Sequence, residues 1–188
     1  MDNNKSNKTL FSTQMIVEAG IMIALSLILG EFKLFEMPQG GSVSFGMLPL
    51  IIFAIRWGVL SGMIVGALYS ILSVIIFSGI ILGPIQYLLD YPLAYAFMGL
   101  SGISTLKNKS DIKGYIPFII VAYLLKFVCH FLSGMIFFAI DPKNIFTLEN
   151  ARNSFLYNIT YIGPEILIFV VILVVLNQSF KRFLVKQY

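Results

Sequence analysis

Apolar residues occupy the chain in six long runs, at 14–30, 46–56, 58–77, 85–106, 115–140 and 151–177, with short polar stretches between them. About 20 consecutive apolar residues cross the roughly 30 Å hydrocarbon core of a bilayer as a helix. The pattern therefore predicts six transmembrane helices. The second run is short for a full crossing unless the preceding connector, 31–45, contributes to it. That connector is rich in glycine and charge, a turn at 78–84 joins the third and fourth runs, and polar loops fall at 107–114 and 141–150. Residues 1–13 form a polar amino terminus and 178–188 a basic tail. No internal repeat or low-complexity segment appears, so 1–188 reads as a single membrane domain.

Composition supports this reading. Of the 188 residues, 58% are hydrophobic and 12% charged, against about 45–50% and about 25% in soluble domains. The fold class is all-α, an integral membrane bundle of six helices in the lipid bilayer. No small-residue cleavage site follows the first apolar run, which is expected to be retained as a helix. Charge placement gives the orientation. With both termini cytoplasmic, the inner segments hold nine basic residues (Lys5, Lys8, Arg56, Lys107, Lys109, Lys113, Lys181, Arg182, Lys186) and the outer segments three (Lys33, Lys143, Arg152). The positive-inside rule favours that assignment in a bacterial cell membrane. The basic residues form no stripe, so no nucleic-acid partner is expected. Cys129 is the one cysteine, which excludes a disulfide within the chain.

Ionisable residues at membrane depth are costly and usually face a bundle interior or a cavity. Asp90, Lys126, His130, Glu165 and, nearer the surface, Glu18 are of this kind. Gln86 and Asp90 are four apart, as are Lys126 and His130, and Tyr157, Tyr161 and Glu165 follow at the same interval. Residues four apart share one helix face, so three helices each carry a polar and aromatic stripe. These stripes predict either a ligand pocket or a structural polar network; three of them opening to one side favour the pocket. Lys126 reads as the partner of Asp90 or of Glu165, and His130 as a neutral hydrogen-bonding group.

Enzymatic readings find little support. There is no glycine-rich phosphate loop ending in Lys-Ser/Thr, one histidine cannot build a His-based metal site, and His130 with Ser133 lacks a third member. No catalytic residue, metal or cofactor is expected. Gly20 and Ala24, four apart on the first run, let another helix approach closely, which suits internal packing or docking to a partner subunit. Gly58, Gly62 and Gly66 repeat that spacing and are expected to pack internally.

The segments Gly40-Gly41-Ser42-Val43-Ser44-Phe45-Gly46-Met47-Leu48-Pro49, Leu89-Asp90-Tyr91-Pro92-Leu93-Ala94, Leu125-Lys126-Phe127-Val128-Cys129-His130-Phe131 and Tyr157-Asn158, in this order, resemble the S components of energy-coupling-factor (ECF) transporters, specifically the thiamine-specific ThiT family. The resemblance implies a six-helix bundle with an outward-facing vitamin site closed by the first connector. It also implies thiamine as ligand, and as partners an ECF membrane subunit with two ATPase subunits. Asp90, Tyr91, Lys126, His130 and Asn158 fall on the family's binding residues. A pocket tryptophan is replaced by Phe138, a tyrosine by Asn153, with Tyr157 as its substitute, and a tryptophan near Gly40 is absent. Gly20 and Ala24 fall on the docking surface. The alternatives are an S component for riboflavin or a thiamine precursor, and a solitary carrier or intramembrane enzyme. Uptake by proteoliposomes holding only this chain separates the solitary carrier. Met37-Pro38-Gln39-Gly40-Gly41-Ser42 combines one residue of fixed φ with two freely rotating glycines, a composition suited to a mobile lid.

Overall fold

The computed structural model describes residues 12–106 and 112–175; the expectations for residues 1–11, the loop at 107–111 and the basic tail at 178–188 lie outside the described residues. Six helical runs make up the bundle. Helix α1 (Thr13–Glu31) starts at Ser12, whose hydroxyl accepts from the Met15 amide, as an N-cap serine does. A hairpin follows, β1 (Lys33–Glu36) antiparallel to β2 (Ser42–Ser44). Then come α2 (Met47–Trp57), α3 (Val59–Phe77), a continuous helical run α4 over residues 84–106, α5 (Ile112–Phe137) and α6 (Leu148–Val175). Among the described residues, α1, α3, α5 and α6 are long and apolar enough to cross a membrane.

Helix α2 shows how the short second run is accommodated. Its 11 residues rise only about 16 Å. The preceding strand β2 is inserted into the bundle, with Val43 and Ser44 buried, and its three residues add about 10 Å. The connector thus contributes to the crossing, and it forms a hairpin with one exposed strand and one largely buried strand. Every residue of α2 from Pro49 to Ile55 is buried, as befits a helix that is apolar all round. It packs against α1, α3 and α4, while α5 lies between α4 and α6.

Glycine sets the closest approaches. A Cβ on Gly62 would stand 2.6 Å from the Ala54 Cβ and 2.9 Å from the Gly99 Cα, and one on Gly66 would overlap the Tyr95 carbonyl. Small residues at helix contacts serve this purpose in membranes, where apolar burial gives little drive for association. Gly58 packs as well, its backbone carbonyl carbon 2.6 Å from where a Cβ on Gly102 would stand, and it has a second role. It lies ahead of α3 with φ of +89° and nothing near its would-be Cβ, so it serves the tight α2–α3 turn, a conformation glycine adopts without steric penalty.

Helix α4 is irregular where the site needs it. Residues Pro84–Leu88 are α-helical, Leu89–Leu93 form a π-turn and Phe97–Gly102 a 3₁₀ turn. Pro92 lies in the π-turn and has no amide to donate to the regular ladder. The wider turn carries Asp90, and π-turns of this kind recur at functional sites.

Candidate functional site: a polar and aromatic cavity at one end of the bundle

A cavity of about 870 Å³ opens where the carboxyl ends of α1, α3 and α5 meet the amino ends of α4 and α6 beneath the hairpin. Its floor is an ion pair. Lys126 of α5 and Glu165 of α6 are both buried, with Nζ 3.1 Å from Oε2. The Lys126 ammonium also lies 5.1 Å from the Tyr95 ring centre and 5.5 Å from that of Tyr123, within cation–π range. Burying either charge alone is strongly unfavourable, and pairing largely offsets that.

Asp90 is the second charged centre. Its Oδ2 accepts from Gln86 Nε2 and from Ser133 Oγ, each at 2.7 Å, and its Oδ1 lies 3.1 Å from His130 Nδ1. A carboxylate offers about four acceptor positions, so one on Oδ1 stays available. Held to Asp90 through Nδ1, His130 leaves Nε2 buried with no partner among the described residues. Gln86 accepts from the Leu82 amide through Oε1 and donates to the Ile80 carbonyl, which also accepts from the Tyr91 hydroxyl. The 78–83 turn is thereby tied to the Asp90 carboxylate.

The α6 wall and the roof are linked. Asn158 donates to the Ser154 carbonyl at 2.8 Å and accepts from the Tyr161 hydroxyl at 2.7 Å. Ser154 Oγ in turn donates to the Phe131 carbonyl of α5 at 2.7 Å. On the residue before Asn158, the Tyr157 hydroxyl accepts from the amides of Gln39 at 3.0 Å and Gly41 at 3.5 Å, pinning the hairpin tip over the cavity. Gly40, with φ of +92°, lets the tip turn there.

All seven side chains singled out for ligand contact, Asp90, Tyr91, Lys126, His130, Phe138, Tyr157 and Asn158, line this one cavity. Lys126 pairs with Glu165, which settles the open choice of partner. Glu18 is not brought to the cavity; it pairs with Arg56 at 2.5 Å, bracing α1 against α2 near the opposite end. Gly20 and Ala24 are exposed on the outer face of α1, and an added Cβ on Gly20 would meet nothing within 4 Å among the described residues. The sequence reading missed the α3 wall, Tyr69 and Ser73. Their signal was present, a tyrosine and a serine four apart in a largely apolar helix, but neither carries a charge at neutral pH, and only charged residues at membrane depth stood out.

Several helices enclosing a half-open, polar and aromatic cavity at one end define a membrane solute-binding bundle. Residues 16–185 match the family model described as Thiamine transporter protein (Thia_YuaJ), and the chain belongs to that family of transporters. It is 33% identical over 188 aligned positions to Thiamine transporter ThiT of Bacillus subtilis, covering 90% of this chain and 93% of the relative. It is 26% identical over 142 positions to Thiamine transporter ThiT of Lacticaseibacillus paracasei, covering 69% and 71%. The solved structure of ThiT from Listeria monocytogenes has the same fold, with a TM-score of 0.71 at 22% identity over 91% of this chain and 97% of that one.

Proposed function

We propose that the chain is the thiamine-binding S component of an ECF importer, taking thiamine with high affinity from the outer side and passing it inward when docked to an ATP-driven membrane module. The observation that carries the ligand reading is the charge balance of an aromatic cavity. Four carboxylates line it, Asp90 and Glu165 inside the bundle and Glu31 and Glu36 toward the hairpin, against two ammoniums, Lys126 and Lys33. Lys126 pairs with Glu165 and Lys33 with Glu36, so Asp90, the remaining carboxylate among the ligand-facing groups, supplies the negative charge a cationic ligand needs. Its remaining Oδ1 acceptor position suits the exocyclic amine of an aminopyrimidine, and His130 Nε2 and the Asn158 amide add polar contacts. Tyr91, Phe138 and Tyr157 offer ring faces to the flat heterocycles, where a thiazolium gains about 0.5–2 kcal/mol of cation–π energy. The hairpin tip acts as the lid, and the exposed Gly20 and Ala24 face of α1 meets the partner subunit.

Isothermal titration of the detergent-purified protein with thiamine, riboflavin and biotin tests this reading. Calorimetry suits the chain because its one tryptophan, Trp57, ends α2 at the side away from the cavity. Tight one-to-one binding of thiamine alone is expected. Asp90→Ala and Asn158→Ala are expected to weaken it about 10- to 100-fold, the range for losing one or two hydrogen bonds, one of them charged. Heat with riboflavin and none with thiamine would keep the architecture and discard the ligand.

A further inference from the structure

The hairpin and the ligand-facing polar groups meet at one side chain that the ligand reading leaves without a role. Tyr161 is 5% exposed and touches three parts of the site. The Gly41 backbone packs directly against its ring, so close that a Cβ there would stand 2.6–2.7 Å from Cε1 and Cδ1. Its hydroxyl donates to Asn158 Oδ1 at 2.7 Å. Its ring meets His130 edge to face, with centres 6.2 Å apart. The neighbouring Tyr157 ring, 6.0 Å away and also edge to face, carries the hydroxyl that holds the Gln39 and Gly41 amides.

The two tyrosines therefore divide the work. Tyr157 holds the tip directly, by hydrogen bonds to the Gln39 and Gly41 amides. Tyr161 is the seat on which Gly41 rests, and the orientation of that seat is set by Asn158 and His130. We infer that Tyr161 is the positioning residue that couples ligand contact at Asn158 and His130 to closure of the 37–41 hairpin tip. This rests on the proposed thiamine site. A ligand that fixes the Asn158 amide and the His130 ring fixes the Tyr161 ring between them, and a fixed ring holds Gly41 down. Glycine is required at 41 because any side chain lifts the backbone off the ring.

Hydrogen exchange of the tip amides, with and without saturating thiamine, reads this coupling. In the wild type, thiamine is expected to slow exchange at Gln39 and Gly41. Tyr161→Phe keeps the ring seat and removes the bond to Asn158. It is expected to leave ligand-free exchange as in the wild type, to lose most of the thiamine-dependent slowing, and to raise the thiamine Kd about tenfold, as for one lost hydrogen bond. Tyr157→Phe is expected to speed exchange both with and without ligand, which distinguishes a plain latch from a coupler. Gly41→Ala, read in the same way, is expected to speed exchange with thiamine bound. Tyr161→Phe binding thiamine and slowing the tip as fully as the wild type would overturn the coupling and leave the thiamine site standing. A folded wild type that binds no thiamine would overturn both.

Discussion

Of the polar residues buried in this chain, the Lys126–Glu165 pair makes the clearest demand on stability. Removing one member strands the other charge in the protein interior, which is worth about 3–5 kcal/mol, while replacing both with apolar residues is often neutral. Lys126→Met alone is expected to lower the thermal midpoint sharply in detergent, and the Lys126→Met/Glu165→Leu double variant to recover most of the loss. A double variant no more stable than the single one would show that the pair owes its place to packing. Sequence reasoning reached these residues because a charge at membrane depth has to be accounted for. It left the choice between Asp90 and Glu165 open because spacing gives the face of a helix and not its rotation against a neighbour. The serine and glutamine ligands of Asp90 resolve that choice, since Asp90 already accepts from Gln86, Ser133 and His130.

At the scale of elements, the apolar runs marked the helices to within a few residues, and their irregularities were hidden. Nothing in the run at 85–106 except Pro92 signalled a π-turn, and nothing signalled the 3₁₀ segment beyond it; the π-turn packs against α3 and α5 and the 3₁₀ segment against α2, α3 and α5, and spacing along one helix does not reveal such contacts. The connector's hairpin was hidden for a related reason. Its strand β1 is exposed along its whole length, and so shows none of the alternation that marks a half-buried strand. The glycines distinguish close packing from a free surface, and that yields a paired prediction. Gly62→Val forces an isopropyl group between α2 and α4 and is expected to destabilise the fold by about 1–3 kcal/mol. At Gly20 an added Cβ would meet nothing within 4 Å among the described residues, and Gly20→Leu is expected to leave both the thermal midpoint and thiamine binding unchanged. It should nonetheless cut thiamine uptake by cells in which the chain works with its ATP-driven module. Unchanged uptake in Gly20→Leu would move the docking surface away from this face of α1.

For the whole molecule, the decisive question is which end of the bundle faces out. The cavity lies at the end shared by the carboxyl terminus of α1 and the amino terminus of α6, opposite the end where Glu18 meets Arg56. Capture from outside requires that this be the outer end, and the nine-to-three division of basic residues argues for it. Cys129 is buried and contributes little background to thiol labelling, so single cysteines can report orientation in otherwise native protein. Asn144, exposed on the loop between α5 and α6 at the cavity end, is expected as Asn144→Cys to react with a membrane-impermeant maleimide in intact cells. Thr13→Cys, exposed at the opposite end of the bundle, is expected to react only after permeabilisation. The opposite pattern would turn the cavity toward the cytoplasm. The geometry of Asp90, Lys126 and Asn158 would be untouched, but the site would then receive its ligand from inside, and import by capture at this cavity would have to be abandoned.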